Sequence, residues 1–438
     1  VAQVQASVNA VQLSAIAVSK SEPSVESELL RGVHDHPTVY TIEVRNNDSA
    51  ATNAVTVTDY IPAGMEFLGC GGVDNSTSRE YPGAASLTAT PVIPAANCPT
   101  PTRVETVTNP PAEGTTTYPA GVYTKVTWSI GNLAAGATRR ISYAAGIPLR
   151  ANTTTFSGGT PSATSRLQTA NLNNNTGTST REGASESTLT NTARVAGTYT
   201  GAVATGASTT VSASATESVT IEDAAVVKSA SPTVFTQGGI ATFTFTVRTS
   251  EYTSATDAVL TELLPAGLCP LSATTDYSGG SISGCGAVAG TNPTGASFDA
   301  VEQLPDGSFR IRFTGLTISA NGTATVKYQA RMLSQYPATG QPTAAGDRFT
   351  DTVTLAATTQ PISGTGESGS QVVGDTSSAT LVSAGLPVTK TVMPQRDPYT
   401  CDLGPYVKPT SSGRPAADFT FRKGERICFK LTVPFPAD

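Results

Sequence analysis

The sequence is organised around residues Ala54–Phe67, which read AVTVTDYIPAGMEF. A similar stretch, AVLTELLPAGL, occupies Ala258–Leu268. Each copy begins with a run rich in β-branched residues, passes an acidic side chain (Asp59 or Glu262) and reaches the same Pro-Ala-Gly tripeptide. Proline lacks a backbone N–H and fixes its own φ, and glycine two residues later can adopt positive φ. Each copy therefore predicts a strand that ends in a tight turn.

The composition indicates an all-β protein with several domains. The chain has 438 residues, with 40 glycines, 29 prolines and only 14% charged residues, which is typical of short strands joined by turns. The net charge of −6 and the lack of a basic stripe exclude the nucleic-acid-binding class, because such proteins neutralise phosphates with clustered Lys and Arg. No apolar run reaches about 18 residues, so the sequence predicts no membrane span.

A junction sequence with a lysine recurs three times, at Lys20, Lys228 and Lys390. Fixed landmarks with variable spacing indicate tandem repeats whose loops differ in length. Each full repeat contains about seven strand-like segments, so we expect all-β, tandem immunoglobulin-like β-sandwich domains within a longer polypeptide. The expected boundaries are the final strand of a preceding repeat (1–18), repeat one with long insertions (19–225), repeat two (226–387) and the start of an incomplete third repeat (388–438).

Several motifs of repeat one resemble a known family. They are YTIEVRN at Tyr40–Asn46, VTDYIPAG at Val57–Gly64, WSIGNLAAG at Trp128–Gly136 and TNTA at Thr190–Ala193. This pattern resembles the bacterial surface repeat known as domain of unknown function eleven and the related isopeptide-forming domains of fimbrial proteins. The resemblance covers most of both full repeats, although repeat two has Glu and Asp where repeat one has Asp and Asn. It implies an immunoglobulin-like fold in long, repetitive cell-surface proteins, and no single activity.

The aligned positions suggest an intramolecular isopeptide bond in each repeat. This chemistry needs a neutral lysine amine, a side-chain carbonyl to attack and a carboxylic acid that polarises the carbonyl, and burial favours both neutral forms. The alternative is that the lysines are exposed at the joints, the acids cap turns and the acyl residues bond to backbone. The candidate sets are Lys20, Asp59 and Asn191 in repeat one and Lys228, Glu262 and Asp351 in repeat two.

Six cysteines fall in three close pairs, one in each repeat. In loop-rich β-domains this spacing predicts three local disulfides and an oxidising, extracytoplasmic setting. A zinc site would need CxxC or Cys/His clusters, which the sequence lacks. The predicted pairs are Cys70 with Cys98, Cys269 with Cys285, and Cys401 with Cys428.

Few other residues suggest chemistry. His34 and His36 are the only histidines, so they exclude a histidine-based hydrolytic triad elsewhere, and we expect them in a solvated loop rather than a metal site. Loop Asp and Asn residues lack calcium-binding spacing, and the single tryptophan, Trp128, is expected in a sandwich core. The sequence predicts no cofactor, no metal and no enzyme activity.

These features favour a structural segment of a bacterial extracellular fibre, sheath or adhesin stalk, with neighbouring domains of the same chain as its partners. One alternative is an adhesin module that binds a host or surface ligand through the insertions Gly71–Ala120 and Ala151–Ser187. Another is a filament subunit that assembles with like subunits by strand donation. All three readings place the protein outside the cell or at the cell surface.

Overall fold

The computed structural model confirms an all-β protein built from tandem β-sandwiches. It describes residues 15–71, 93–151, 180–181, 187–200, 208–271, 297–385, 389–392 and 429–433. Within these ranges there is no α-helix, and one short 3₁₀ helix spans Val25–Ser27.

The first ten strands form a unit that we call module one. Its strands are β1 Ile16–Ser21, β2 Glu28–Leu30, β3 Thr38–Asn46, β4 Thr52–Pro62, β5 Glu66–Phe67, β6 Arg103–Thr108, β7 Val122–Leu133, β8 Thr138–Gly146, β9 Ser187–Thr200 and β10 Ser208–Glu222. They make a four-stranded sheet in the order β1-β3-β8-β5 and a six-stranded sheet in the order β2-β10-β9-β4-β7-β6.

The next ten strands form module two, which repeats this topology. Its strands are β11 Ala224–Ser231, β12 Val234–Phe235, β13 Ile240–Thr249, β14 Thr253–Leu264, β15 Leu268–Leu271, β16 Ser297–Gln303, β17 Phe309–Ile318, β18 Thr323–Met332, β19 Arg348–Pro361 and β20 Gln371–Ser383. The sheet orders are β11-β13-β18-β15 and β12-β20-β19-β14-β17-β16. Each module encloses its own apolar core between its two sheets, because alternate residues of facing strands point inward.

The modules have more strands than the seven expected. The segment after Phe67, interpreted as an insertion, contributes β6, which pairs with β7 along one edge of the six-stranded sheet. Module two has the equivalent strand β16 paired with β17. This edge strand therefore belongs to the shared architecture, and the insertion that the sequence predicted is shorter.

The structure also corrects the predicted boundaries. Residues Ile16–Val18, assigned to a preceding repeat, form the start of β1 and pair with β3 of module one. Asp223 alone separates β10 from β11, so Ala225 belongs to module two and not to repeat one. The junction sequence is the beginning of a strand rather than a linker, because its alternate apolar residues are already inside the core.

After module two the structure describes a two-stranded sheet. The strands β21 Thr389–Val392 and β22 Phe429–Thr432 pair antiparallel. Lys390 lies in β21, as Lys20 lies in β1 and Lys228 in β11. Each of the three junction lysines thus lies within a strand, and Lys20 and Lys228 are both the fifth residue of theirs.

The two Pro-Ala-Gly turns use their glycines differently. Both turns close with a hydrogen bond to the proline carbonyl, of 2.9 and 3.2 Å. Gly267 has φ of +93°, as expected for a turn that only glycine adopts readily. Gly64 does not have positive φ; a Cβ there would lie 2.9 Å from Leu189 Cδ2. In module one the glycine instead lies directly against the Leu189 side chain.

A buried polar interface joins the two modules. Arg31 of module one is fully buried; it donates to Asp223 Oδ1 at 2.9 Å and to the Leu149 carbonyl at 2.9 Å. Its Nη2 also lies 3.4 Å from Glu367 of module two. Because a buried guanidinium is costly without partners, these contacts hold the joint in one arrangement.

The two histidines lie in this interface, which corrects the expected solvated loop. His34 is 4% exposed, and its Nδ1 lies 2.7 Å from Glu251 Oε1 of module two. His36 Nε2 lies 3.1 Å from the Thr249 carbonyl. The loop is covered by the neighbouring module, a contact that residues 34–36 themselves do not reveal.

Candidate functional site: two buried lysine and carboxyl clusters

The acidic residue of each organising strand is aimed into the core by a β-bulge. The register of β4 shifts between Asn53 and Thr56, and that of β14 shifts between Thr256 and Val259. At the bulges, Ala54 and Asp257 have φ near +50°. A bulge adds one residue and reverses which alternate residues face inward. The following strand therefore points its acid toward the opposite sheet.

In module one, three predicted residues meet at one tyrosine hydroxyl. Lys20 Nζ lies 2.5 Å from Asp59 Oδ1 and 3.3 Å from Tyr143 Oη. The Tyr143 hydroxyl donates to Asp59 Oδ2 at 2.5 Å, and Asn191 Nδ2 donates to the same hydroxyl at 2.7 Å. Asp59 and Asn191 are both completely buried, and Asn191 Oδ1 accepts no hydrogen bond within the described part of the chain.

The surroundings of Lys20 favour its neutral amine. Its side chain is fully enclosed, with the Tyr40 and Tyr143 rings 5.1 and 5.7 Å from Nζ. Burial lowers the pKa of Lys20 to about 8, although the Asp59 carboxylate counteracts part of this effect. An amine with this pKa loses its proton to a neighbouring base more readily than an exposed lysine does.

Module two repeats the arrangement with different acids. Lys228 Nζ lies 2.6 Å from Glu262 Oε1 and 2.7 Å from Asp351 Oδ1. The Tyr328 hydroxyl donates to Glu262 Oε1 at 2.6 Å and lies 3.4 Å from Asp351 Oδ2. The rings of Phe243 and Phe245 enclose the ammonium at 4.9 and 5.3 Å.

The second cluster holds two carboxyls and one ammonium away from water. Burial raises the pKa of Asp351 well above its usual range, and the neighbouring Glu262 carboxyl raises it further; Lys228 offsets only part of the increase. Asp351 is therefore the group that keeps a proton, since two buried carboxylates side by side repel each other. A protonated carboxyl is also the form that an amine can attack.

Each cluster connects the two sheets of its module. The lysine and the tyrosine lie in the four-stranded sheet, while the acid and the acyl residue lie in the six-stranded sheet. Asp59 pairs with Ala193, so Asn191, two residues away, is its diagonal neighbour on the same face. Glu262 pairs with Val353, which places Asp351 in the same diagonal relationship.

All six predicted isopeptide residues are thus found in two buried clusters, and the exposed-lysine alternative is wrong for both modules. The acids do not serve as turn caps; they bond to the lysines. The sequence reasoning missed Tyr143 and Tyr328. A usable signal existed, because each tyrosine lies in the strand that follows a Gly-containing turn, at matching positions opposite Tyr40 and Phe243.

Of the predicted disulfides, Cys70 and Cys98 are joined, with Cα atoms 5.7 Å apart. Cys269 is also disulfide-bonded. Cys285, Cys401 and Cys428 lie outside the described residues, as does most of the insertion 151–187 and much of 71–120. The predicted ligand-binding role of these insertions stays a prediction.

Other predicted features concern metals, membranes and the core. In the part of the chain that the structure describes, no three His, Cys, Asp or Glu side chains are grouped to hold a metal ion. Those same ranges contain no helix with the length and apolar character needed to cross a bilayer. Trp128 is 2% exposed in the core of module one, as expected, and donates from Nε1 to the Pro99 carbonyl at 3.0 Å.

No protein-family model and no curated protein matches this chain. Among solved structures it is similar to the C-terminal fragment of the major pilin GBS80 of Streptococcus agalactiae, at 8% identity over 39% of this chain and 58% of that one, with a TM-score of 0.22. It is similar to the major pilin SpaD of Corynebacterium diphtheriae, at 8% identity over 88% of this chain and 70% of that one, with a TM-score of 0.24. It is also similar to red sea bream transglutaminase, at 6% identity over 85% of this chain and 32% of that one, with a TM-score of 0.25. The chain thus spans less than two thirds of two of these proteins, and such low scores support no inference about function.

Proposed function

We propose that the protein is a load-bearing segment of an extracellular fibre or stalk, and that each module is locked by an isopeptide bond between its two sheets. One observation carries this proposal: both modules bury a lysine beside an acid and an Asn or Asp on the opposite sheet. Two isolated coincidences of this kind are improbable on energetic grounds, because burying charged groups is expensive.

In module one the bond would join Lys20 Nζ to Asn191 Cγ. Lys20 passes a proton to Asp59, and the neutral amine attacks the amide carbon. The C–N bond to Nδ2 breaks, and the nitrogen leaves as ammonia with a second proton from the lysine. Asp59 ends protonated, so the products carry no net charge. The reaction needs no oxidant or reductant.

In module two the bond would join Lys228 Nζ to Asp351 Cγ. Glu262 takes the first proton from the ammonium, and the amine attacks the protonated Asp351 carboxyl. The hydroxyl of the Asp351 carboxyl leaves as water with a second proton from the lysine nitrogen, and Glu262 remains protonated. Each reaction occurs once per chain, so the residues act as a self-modifying group and not as an enzyme that turns over.

The positions of the bonds suit a protein under tension. Force enters module one at β1 and leaves at β10. A bond from β1 to β9 would carry that force around residues 21–190. The direct passage from β10 through Asp223 into β11, together with the buried Arg31 contacts, would pass the load to module two without a flexible linker. Disulfides support an oxidising, extracellular setting.

Mass spectrometry of the denatured, reduced chain tests the cross-links. The wild type should lack one ammonia and one water relative to its sequence. Asn191→Ala should lack only the water, and Asp351→Ala only the ammonia. Lys125→Ala, at a partly exposed lysine of β7, is the control and should keep both losses. A wild-type mass equal to the full sequence would overturn the proposal.

A further inference from the structure

The two clusters differ in the length of the acid, and this difference changes what connects the acid to the acyl group. Diagonal neighbours on adjacent strands have Cβ atoms about 7–8 Å apart or somewhat less. Glu262 has the longer side chain, and the Tyr328 hydroxyl, which lies 2.6 Å from Glu262 Oε1, is 3.4 Å from Asp351 Oδ2. Asp59 is one methylene shorter. Within the described residues no hydrogen bond joins Asp59 to Asn191; the Tyr143 hydroxyl bridges them, at 2.5 and 2.7 Å.

We propose that Tyr143 is the proton relay of module one, carrying the proton from Asp59 to the leaving nitrogen of Asn191, and that Tyr328 is dispensable for this step in module two. This inference rests on the proposed isopeptide bond and adds a catalytic residue to it. After the amine has attacked, Nδ2 is tetrahedral and can accept a proton. Asp59, which holds the first lysine proton, donates to Tyr143 Oη as the tyrosine hydroxyl donates to Asn191 Nδ2. The hydroxyl is restored, the nitrogen leaves as ammonia, and Asp59 takes the second proton of the lysine nitrogen and so ends protonated.

The geometry matches the chemistry of the leaving group. The Asn191 atom that faces the hydroxyl is Nδ2, the atom that must gain a proton to leave. Tyr143 is held in place by stacking on Tyr40 and Trp128, with ring centroids 5.6 and 5.9 Å away. Burial and the Asp59 charge raise the pKa of Tyr143 well above its usual range, so the phenol keeps the proton that it has to pass on.

Matched phenylalanine variants separate a relay from a structural role. Both tyrosines are buried, stacked on an aromatic ring and hydrogen-bonded to the acid. If each hydroxyl had only a structural role, its removal would therefore slow bond formation equally in both modules. We expect Tyr143→Phe to slow ammonia loss by about 100-fold or more, as for loss of a general acid, while Tyr328→Phe leaves water loss within a few-fold of wild type.

Exchange of the acids provides the decisive control. Asp59→Glu in the Tyr143→Phe background should restore ammonia loss, because the longer acid reaches Asn191 directly. In module two, Glu262→Asp should still lose water, whereas Glu262→Asp with Tyr328→Phe should not. This second pair tests the relay even if Tyr143→Phe does not fold, which Trp128 fluorescence would reveal.

The outcomes distinguish this inference from the proposed function. If the wild type shows neither mass loss, the isopeptide proposal itself is wrong. If the wild type is cross-linked but Tyr143→Phe loses ammonia at the wild-type rate, only the relay is wrong. Equal slowing by both phenylalanine variants, without rescue by the longer acid, would also reject the relay in favour of a structural role.

Discussion

His34 of module one and Glu251 of module two form a buried pair across the joint, with Nδ1 2.7 Å from Oε1. The same carboxylate accepts the backbone N–H groups of residues 33, 34 and 35, at 3.3, 3.1 and 2.8 Å. Three successive amides and an imidazole thus surround one carboxylate from the neighbouring module. Such a nest binds an anion tightly and with defined geometry.

Replacing Glu251 with Gln should loosen the joint. The amide would present N–H groups to backbone N–H groups that have lost their acceptor, at a cost of about 1–3 kcal/mol. Small-angle X-ray scattering should show a broader distribution of interatomic distances, while each module stays folded. Arg310→Ala is the control, because the Arg310–Glu302 pair is exposed and contributes little. An unchanged scattering profile for Glu251→Gln would contradict the docked joint.

Acid should loosen the joint in the same way. Burial raises the pKa of Glu251, but the hydrogen bonds and charge of His34 and the backbone N–H groups outweigh it, so the pKa lies below its usual value. A depressed carboxyl pKa contributes stability above the ordinary value of 4.5, and this stability is lost as the pH falls through the folded pKa. As the pH falls through the folded pKa of Glu251, which lies below 4.5, scattering from the wild type should therefore approach that of Glu251→Gln.

Much of the fold and of the clusters could be predicted from sequence. The alternating strand ending in Pro-Ala-Gly, the recurrent junction lysine and the aligned motif around Asn191 or Asp351 are local patterns, and together they located all six of these cluster residues. After the bulge at Ala54 or Asp257, the acid continues the inward alternation of the apolar residue two positions before it, Val57 or Leu260. The alternation within the strand therefore indicates the inward direction, and the bulge sets its phase relative to the residues that precede it.

The parts that could not be predicted depend on contacts distant in sequence. Tyr143 is one of 13 tyrosines. Its place in the strand after a glycine-containing turn matches that of Tyr328, but its role follows only from strand β8 lying opposite β4 across the core. His34 is buried by a module that begins about 190 residues later. A polar loop beside a proline is ordinarily exposed, so only the docked arrangement shows otherwise.

The buried Lys20 should make the stability of an uncross-linked module one depend on alkaline pH. Its pKa of about 8 lies below the ordinary 10.5, so between these values the unfolded state binds more protons than the folded state. Stability should therefore rise with pH across this window. The full gain is on the order of 3 kcal/mol.

Asn191→Ala, which cannot form the bond, allows this measurement by urea unfolding. Trp128 is the only tryptophan and lies in module one, so its fluorescence reports that module alone. Lys20→Met in the same background is the reference variant. Subtracting its free energy of unfolding removes the contributions from the titration of Tyr143 and of the other groups that both variants share. The difference in the free energy of unfolding between the two variants should grow from about pH 8 to 10.5. If this difference stays constant with pH, Lys20 is not desolvated.

The Cys70–Cys98 disulfide should stabilise module one independently of the isopeptide bond. It closes a segment with a sequence separation of 28, for which the chain-entropy model gives about 3–4 kcal/mol. Cys70→Ser with Cys98→Ser should lower the free energy of unfolding by this amount, measured by Trp128 fluorescence. This double variant should still lose ammonia, since neither cysteine contacts the cluster. Loss of the cross-link in this variant would instead indicate that the disulfide positions the site.

Single-molecule stretching should distinguish a locked module from one held only by packing. A bond from Lys20 to Asn191 excludes 170 residues (21–190) from extension, or about 600 Å of extended chain. A bond from Lys228 to Asp351 excludes 122 residues (229–350), or about 430 Å. With disulfides reduced, the wild type should therefore show only short extensions from the strands outside these loops. Asn191→Ala should add a step near 600 Å and Asp351→Ala one near 430 Å. If the wild type already extends by these lengths, covalent bonds do not carry the load, and the buried lysines stabilise the sandwiches by ion pairing alone.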